Sequence, residues 1–410
     1  MTTNPAVLIL GGTAPVWATD GRDIAVRSIR QFRARGSKIL LTDTAAALNA
    51  NPELAAAADE VHSLDFTDPG ACVAWAQSYI RNGRIDAVVG FREYAMVAVA
   101  EVASALGLRG NDPQVVRRVR SKDACREFLR KSGFAQPDLV LCSDVDQARE
   151  FFDRHAHAPI ILKPRDRCNS EGVSLVTDAA ALPAAFETAR GEDGVVLAET
   201  FVEGAEYSVE GLFAGGVPTV LAVTAKTLSP GSFLEAGHTM PAVLPDHLRS
   251  GIERETVRAL SVLGLSTGPF HVECWLTPRG VVLGEVHARQ GGDGIHALLE
   301  WCHPGLELYG YWLDDLLGRT RRLPVVPRRG GAVRFLTPPA GTVARVRGWD
   351  AVAAHPAVLA SAIDLDSGTE IGPQRSNGDR RGMVMVGTDQ PDAAGRVADE
   401  LIGMIDVEVA

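Results

Sequence analysis

One segment, GEVHARQGGDGIHALLE, limits more than any other what this chain can fold into. Glu285, His287 and Arg289 are spaced two residues apart, which is the side-chain period of a β-strand. In a strand all three side chains would leave the same face, and the apolar residues between them would pack on the other. The segment therefore predicts a strand that presents an acid, an imidazole and a guanidinium together.

The preceding segment predicts a second strand that brings another acid to this face. FHVECWL alternates apolar and polar residues, and the following TPRG has the composition of a turn. An odd-membered loop centred near Arg279 would place Glu273 opposite Glu285 in an antiparallel pair. Facing buried acids destabilise a sheet unless they share a proton or bind cations, and Mg²⁺ prefers such oxygen ligands together with phosphate. The hairpin thus predicts a metal–phosphate site; the alternative is a hairpin with both acids in solvent.

Length, charge and cysteine usage favour a multidomain enzyme with small ligands. The 410 residues exceed what one hydrophobic core usually supports, so about two to four domains are expected. A formal net charge of −10 argues against nucleic acid as a partner. Cysteines occur singly, as is typical of reduced thiols in the cytoplasm. Because neither a secretory signal nor an apolar run of about 18 residues is present, we expect a cytoplasmic protein without membrane spans.

Strands and helices alternate over roughly the first 110 residues. AVLILGG, KILLTD and RIDAVVGF have strand patterns, and the stretches between and after them have helical ones. This alternation predicts a parallel α/β sheet. The GGT turn at Gly11 does not fit GxGxxG, so a tight turn is expected there rather than a dinucleotide site. A basic helical stretch follows, then strands and hairpins, and finally short strands with a terminal helix; the fold class is α/β and α+β, multidomain.

Lysines and acids at predicted strand ends are further binding candidates. Lys163 ends an apolar strand, where an ammonium group needs an anion nearby, and the polar loop 165–172 can point N–H groups at phosphates. Glu199 ends a buried strand, Glu206 begins the next, and Lys122 lies on the basic helix. Each has an ordinary alternative: a surface lysine beside a hairpin loop, an acid after a strand, or a solvated lysine on a helix.

The order of these features resembles the ATP-grasp superfamily over nearly the whole chain. The resemblance is carried by RSKDACREFL, PIILKPRDRCNSEGVSLV, VLAETFVEGAEYSVEG and HVECWLTPRGVVLGEVHARQGGD, and HARQGGDGIHALLEWCHPGLELY is most similar to the L-amino-acid ligases of the bacilysin synthetase type. It implies an ATP-grasp fold of four parts: a Rossmann-like domain at 1–112, a linker helix and lid subdomain at 113–197, a metal-binding subdomain at 198–310 and an α+β domain at 311–410.

The same resemblance implies how ATP is bound. Two lysines and a lid loop would contact the phosphates, an acid with nearby backbone would contact the adenine, and a second acid would contact the ribose. In that order these are Lys122 and Lys163, the loop 167–172 with Ser170 and Gly172, Glu199 with Val202, and Glu206. The loop holds one glycine, fewer than in many relatives, which implies a stiffer lid.

The metal assignment follows from the resemblance with one departure. Glu273 and Glu285 would bridge two Mg²⁺ ions, with Mn²⁺ as a substitute. His287 stands where many relatives carry Asn, and an imidazole is a softer donor than an amide oxygen. His287 would either complete the metal site or face the substrate.

The resemblance also implies the reaction and its substrates. A substrate carboxylate would attack ATP to give an acyl phosphate and ADP, and an amine would then displace phosphate. Arg289 with the amides of Gly291 and Gly292 would stabilise the tetrahedral oxyanion. His238 would contact the carboxylate substrate, and Asp293 would contact an amino group or cap the following helix. A homodimer is expected by family analogy.

Two other functions remain open from the sequence. An enzyme of the same fold could activate bicarbonate or another small carboxylate, as biotin carboxylase and the purine-pathway ligases do. A nucleotide-binding scaffold protein with an inactive site is the other possibility. The intact set of Lys163, Glu273, Glu285 and Arg289 argues against the scaffold protein.

Overall fold

The structure, a computed structural model, describes residues 4–14, 19–165, 169–191 and 194–410. Within these ranges the strands form two four-stranded sheets, one eight-stranded sheet and one three-stranded sheet. No helix in the same ranges has both the length and the apolar composition needed to cross a lipid bilayer.

The amino-terminal unit contains the predicted parallel sheet, in the order β3-β2-β1-β4. Its strands are β1 (Ala6–Leu10), β2 (Lys38–Asp43), β3 (Glu60–Ser63) and β4 (Ala87–Gly90). Its helices are α1 (Thr19–Arg33), α2 (Ala45–Ala50), α3 (Pro52–Ala56), α4 (Pro69–Tyr79) and α5 (Met96–Ala105). Strand β3 was not predicted because EVHS lacks an apolar run and lies at the exposed edge of the sheet.

The basic stretch after this unit is two helices, α6 (Pro113–Arg120) and α7 (Lys122–Lys131). Ser121 between them has an extended backbone, with φ −90° and ψ 104°, so the two helices have different axes. A second four-stranded sheet of antiparallel pairs follows, in the order β5-β8-β6-β7. Its elements are β5 (Leu139–Cys142), α8 (Val145–Arg154), β6 (Ile160–Pro164), β7 (Ser174–Val176), α9 (Leu182–Ala189) and β8 (Val196–Thr200).

The eight-stranded sheet has the order β13-β12-β9-β10-β11-β14-β18-β16. Its strands are β9 (Ala205–Ala214), β10 (Val217–Leu228), β11 (Glu235–Met240), β12 (Pro269–Thr277), β13 (Gly280–His287), β14 (Gly330–Leu336), β16 (Val358–Ile363) and β18 (Gly382–Thr388). Because β11 pairs with β14, hydrogen bonding continues across the expected limit at residues 310 and 311. The four domain limits stay a prediction.

The remaining elements complete this sheet and its carboxyl-terminal extension. The three-stranded sheet has the order β17-β15-β19, and the helices contact strands of the eight-stranded sheet. These elements are α10 (Asp246–Leu263), α11 (Ile295–Cys302), α12 (Leu308–Leu316), β15 (Gly341–Arg347), α13 (Trp349–Ala353), β17 (Glu370–Ile371), α14 (Ala394–Ile402) and β19 (Asp406–Val409).

The largest buried cluster joins the amino-terminal unit to the eight-stranded sheet. Phe32 of α1, Leu298 of α11, Tyr309 of α12 and Val333 of β14 are all fully buried in it. Burying one such side chain contributes on the order of 2 kcal/mol, so this packing fixes the position of the first unit relative to the sheet. The cysteines in the described residues are free and buried, as expected for reduced thiols; Cys168 lies outside those residues.

Candidate active site

A cleft with about 1390 Å³ of empty space, partly open to solvent, is lined by residues of the second four-stranded sheet and the eight-stranded sheet. It brings together nearly all of the predicted site residues that the structure describes. These are Lys122, Lys163, Ser170, Glu199, Val202, Glu206, His238, Glu273, Glu285, His287, Arg289, Gly292 and Asp293. Gly172 and Gly291 are not among the residues that line it, and Arg167 lies outside the described residues.

A β-bulge, rather than an odd-membered loop, places Glu273 opposite Glu285. Thr277 pairs with Gly280, so the loop has two residues and the expectation of an odd-membered loop was wrong. The register then shifts by one residue between Val272 and Cys274, because β13 contains an extra residue at Gly284. A Cβ at Gly284 would lie 3.0 Å from the backbone oxygen of Glu273, so glycine allows the close approach that the bulge requires.

A lysine lies close to each of the two facing acids. Lys226 of β10 lies 3.2 Å from Glu273, and Lys122 of α7 lies 3.6 Å from Glu285. Burial opposes ionisation of Glu273, but the positive charge of Lys226 and a hydrogen bond with His271 together outweigh it and hold the carboxyl pKa well below its usual value. The pKa of Glu285 is lowered in the same way, against burial, by Lys122 and Lys163. Both acids are therefore ionised, and lysines of the chain compensate their charge without a shared proton or a bound metal ion.

Lys226 connects the acids of the cleft to one another. Its ammonium, with a side chain only 6% exposed, lies 3.0 Å from Glu235 and 3.5 Å from Glu206 as well as beside Glu273. Burial disfavours the charged lysine, but these three carboxylates raise its pKa well above the usual value. Lys226 is thus a buried cation in the cleft that the sequence did not identify.

Glu93 of the amino-terminal unit contacts His287, the last residue of β13, and Arg289, which lies just beyond the end of this strand rather than within it as predicted. One of its carboxylate oxygens accepts a hydrogen bond from Arg289 at 2.6 Å and lies 2.9 Å from Nδ1 of His287. Burial opposes ionisation of Glu93, but His287 and Arg289 hold its pKa well below the usual value. The other ring nitrogen of His287 lies 3.5 Å from Glu285. The contact with Glu93 therefore leaves Nε2 of His287 on the side of the acids.

At the end of the cleft where the resemblance implies that the nucleotide binds, Lys163 donates a hydrogen bond to Glu199 at 2.7 Å. The fully buried Arg126 of α7 lies 3.1 Å from the second oxygen of Glu199. Burial opposes ionisation of Glu199, but Arg126 and Lys163 lower its pKa below the usual value. Glu206, which is expected to contact the ribose, accepts a hydrogen bond from the indole of Trp275 at 2.8 Å. Glu199 and Glu206 therefore both accept hydrogen bonds from neighbouring side chains.

At the opposite end, His238 and Asp293 are in direct contact. His238 Nε2 lies 3.1 Å from Asp293 and 3.5 Å from Glu235. Burial disfavours the imidazolium, but the hydrogen bonds with Asp293 and Glu235 raise the pKa of His238 to about 9. Arg380 makes two further hydrogen bonds to Asp293, at 2.6 and 2.8 Å. Asp293 is therefore an ionised acid held by two cations.

The glycines predicted for catalysis have different surroundings. A Cβ at Gly291 would lie 2.9 Å from the ring of His271 and from Ile295, whereas a Cβ at Gly292 would meet nothing within 4 Å. Gly292 therefore faces open space in the cleft, and Gly291 packs on the protein. Gly172, with φ +73°, packs against Pro164 and the backbone of Thr188, so its contribution there is to the turn.

The charged residues of the site that the sequence analysis missed include Glu93, Arg126, Lys226 and Arg380. A lysine at an inward position of an otherwise apolar strand, as in VPTVLAVTAKTL, could have indicated Lys226. The other three lie in a turn, a basic helix and a carboxyl-terminal loop, where charged residues are ordinary. Their positions in the site depend on tertiary contacts alone.

Three segments of the chain match known domain families. Residues 30–110 match the ATP-grasp N-terminal domain, residues 156–297 the ATP-grasp domain, and residues 334–410 the L-amino acid ligase C-terminal domain 2. The family suggested by the motifs is therefore confirmed, and so is the ATP-grasp fold.

Similar proteins include a synthase named for its product and a ligase named for the two molecules that it joins. The chain is 28% identical over 199 residues to dapdiamide A synthase of Enterobacter agglomerans, covering 45% of each chain. It is 26% identical over 213 residues to alanine–anticapsin ligase of Bacillus subtilis strain 168, covering 46% of this chain and 44% of that one. The chain thus aligns with about half the length of these relatives.

One solved structure has a similar fold over the whole length of this chain. The L-amino acid ligase of Bacillus licheniformis superposes with a TM-score of 0.78 at 21% identity, covering 100% of this chain and 99% of that one. At this identity the similarity establishes the fold.

Proposed function

Because the chain belongs to the ATP-grasp superfamily, we propose that it is an ATP-dependent carboxylate–amine ligase that releases ADP and phosphate. One observation carries the proposal: ionised Glu273 and Glu285 face each other across a bulged hairpin, with Lys122, Lys163 and Arg289 lining the same cleft. Phosphoryl transfer needs positioning and charge neutralisation more than covalent chemistry, and these five side chains supply both.

The nucleotide would extend along the cleft from β8 to the hairpin. Glu199, the backbone near Val202 and Glu206 would contact the adenosine, and Lys122, Lys163 and the loop with Ser170 and Gly172 would contact the phosphates. Each of these lysines has an acid as its neighbour: Lys163 contacts Glu199, and Lys122 lies 3.6 Å from Glu285. A phosphate would offer both lysines a second anionic partner without removing the first.

The two hairpin carboxylates are of the donor type that a hard divalent cation prefers. Both carboxylates are ionised, and Nε2 of His287 lies beside Glu285. Glu273, Glu285 and His287 would hold Mg²⁺ or Mn²⁺, and the metal would neutralise the charge on the phosphates. Two ions are proposed, as the family resemblance implies.

The reaction would proceed in two steps. A carboxylate oxygen of the first substrate attacks the γ-phosphorus, the bond to the β-phosphate oxygen breaks, and ADP leaves. The amine nitrogen of the second substrate then attacks the acyl carbon, phosphate leaves, and the nitrogen loses a proton. Arg289, oriented by Glu93, would donate to the oxyanion formed in the second step, together with the amides at Gly291 and Gly292.

The substrates would be an amino acid or related carboxylate and an amine or second amino acid. The relatives named as a ligase of alanine and as a synthase of dapdiamide A support this class. The charged groups around His238 and Asp293 support a polar first substrate. By family analogy we also propose that the protein is cytoplasmic and forms a homodimer. Light scattering of the purified protein would test the homodimer.

A hydroxylamine assay tests the proposed reaction. The protein is incubated with ATP, Mg²⁺, hydroxylamine and each of a panel of amino acids. Formation of hydroxamate together with ADP would support the acyl phosphate. AMP and pyrophosphate instead of ADP would contradict the mechanism, and ADP release that depends on bicarbonate alone would support the bicarbonate-activating alternative.

A further inference from the structure

Arg380 lies in the loop before β18, far in sequence from the motifs of the cleft. We propose that Arg380 is a positioning residue of the carboxylate-substrate subsite, acting by fixing Asp293 and, through it, His238. The inference rests on the proposed function, because it assigns a part of the same reaction to a residue of the carboxyl-terminal region. Its first support is geometric.

The guanidinium of Arg380 makes hydrogen bonds along one edge and stacks on an aromatic ring with one face. Nη1 and Nη2 donate to the two carboxylate oxygens of Asp293, at 2.8 and 2.6 Å. The face lies over the ring of Phe335, with 3.6 Å between the guanidinium carbon and the ring centroid. Bidentate pairing and stacking together define one orientation, which a lysine could not reproduce.

Asp293 needs such support because of where it lies in the chain. It directly follows the paired glycines of the proposed oxyanion site, and its φ of 56° is in the left-handed region that a non-glycine residue rarely adopts. Arg380 on one side and His238 on the other hold its carboxylate. Loss of Arg380 would leave the conformation of this loop dependent on His238 alone.

Asn377 of the same loop contacts two other residues that line the cleft. The side-chain oxygen of Asn377 accepts a hydrogen bond from the backbone N–H of Glu235 at 3.0 Å. Its own backbone N–H donates to the carbonyl of Asn169 at 3.0 Å. Asn377 is buried and lines the cleft. The segment 377–380 therefore forms part of the subsite wall, with Arg380 as its charged anchor.

The charges around Arg380 favour an organic substrate over a metal ion. Glu235, His238 and Asp293 have the donor types and spacing that could hold a cation. However, Arg380 donates to both carboxylate oxygens of Asp293, at 2.8 and 2.6 Å, whereas the lysines beside Glu273 and Glu285 approach one oxygen each at 3.2 and 3.6 Å. A metal ion at Asp293 would therefore have to displace a bidentate guanidinium. The partly exposed carboxylates of Asp293 and Glu235 remain able to accept hydrogen bonds from a ligand. We therefore expect a carboxylate substrate that carries an ammonium or similar donor group.

Steady-state kinetics of Arg380→Met and Arg380→Lys test the role. With Mg·ATP and the amino acid that gives the most hydroxamate, we expect Arg380→Met to raise the KM for the amino acid about tenfold or more, and Arg380→Lys to raise it less. The KM for ATP should change less than about twofold in both. Arg381→Met is the matched control, because Arg381 points to the exposed Asp364 at 3.4 Å, and it should leave both constants unchanged.

A stability measurement supplies a readout that does not depend on turnover. Removing Arg380 alone leaves Asp293 with one cation, whereas Arg380→Met with Asp293→Asn removes both charges. We expect the urea midpoint of the double variant to lie above the value that the two single variants predict by addition. Additive effects would overturn the pairing, and so would a KM for the amino acid that stays within twofold in Arg380→Met.

The two proposals fail in distinguishable ways. If the wild-type protein forms neither hydroxamate nor ADP with any amino acid, the ligase proposal fails, and the role of Arg380 fails with it. If the wild type is active and Arg380→Met raises both KM values equally, only the positioning role is overturned. A selective rise in the KM for the amino acid supports both.

Discussion

The lysines beside Glu273 and Glu285 change how these two acids are to be understood. Facing carboxylates suggested that a shared proton or bound cations make the pair tolerable, but Lys226 and Lys122 already compensate them. The acids are therefore ionised and in place before any cation binds. Preorganisation of this kind reduces the reorganisation that substrate binding would require.

Replacing one acid by its amide should abolish activity without unfolding the protein. Glu285→Gln keeps the shape of the side chain but removes the charge that would hold Mg²⁺ and balance Lys122. We expect kcat to fall about a hundredfold or more, with a circular dichroism spectrum like that of the wild type. Glu127→Gln, on an exposed acid of α7, is the control. Near-normal turnover of Glu285→Gln would remove Glu285 from the metal site.

The raised pKa of His238 predicts a pH dependence of stability. The imidazole has a pKa of about 9 in the folded protein, because Asp293 and Glu235 outweigh its burial, against about 6.5 when unfolded. Its contribution is fully present below pH 6.5 and is lost as the pH rises through 9; it is on the order of 3 kcal/mol at most. Urea midpoints of wild type and His238→Gln should therefore differ more at pH 6 than at pH 10. An equal difference at both pH values would contradict the assignment.

At the scale of elements, the sequence predicted the strands of the catalytic hairpin but not how they pair. Alternation in FHVECWL and GEVHARQ was sufficient to predict β12, β13 and the facing acids. The bulge at Gly284 has no distinct sequence signal, because an isolated glycine in a strand fits a bulge, a bend or a close contact equally. The sequence analysis thus placed Glu273 opposite Glu285 correctly although it assumed the wrong loop length. The extra residue of the bulge compensates for the loop being shorter than expected.

The loop between β13 and α11 offers a prediction with an internal control. At Gly291 an added methyl group would meet His271 and Ile295 at 2.9 Å, whereas at Gly292 it would meet nothing within 4 Å. We expect Gly291→Ala to lower the thermal midpoint. Gly292→Val should leave the midpoint near the wild-type value but reduce turnover at least about tenfold, because its side chain extends into the cleft. Differential scanning fluorimetry and the hydroxamate assay measure the two effects.

The contrast between these neighbouring positions is the informative result. If Gly292→Val retains full turnover, the cleft beside it does not hold the reacting groups. If Gly291→Ala is as stable as the wild type, the packing on His271 is looser than the distances indicate.

At the scale of the whole molecule, the site is completed by residues distant in sequence. Most helices, strands and motifs could be predicted locally, since they depend on periodicity and strand-end residues. Contacts such as Glu93 with Arg289 could not, because 196 residues separate them and only the packing of α11 and α12 on the amino-terminal unit brings them together. An acid in the turn after a parallel strand is too common to predict such a contact.

This dependence predicts that a residue of the amino-terminal unit controls catalysis in the eight-stranded sheet. Glu93→Gln would retain the shape of the side chain but weaken its hold on Arg289 and His287, since a neutral amide accepts weaker hydrogen bonds than a carboxylate. We expect kcat to fall about tenfold or more with the KM for ATP nearly unchanged, because the nucleotide contacts lie on other elements. Glu101→Gln on α5 is the matched control, since Glu101 pairs with Arg117 on the surface at 2.6 Å. Equal kinetic constants for Glu93→Gln and the wild type would mean that Arg289 is oriented without the amino-terminal unit.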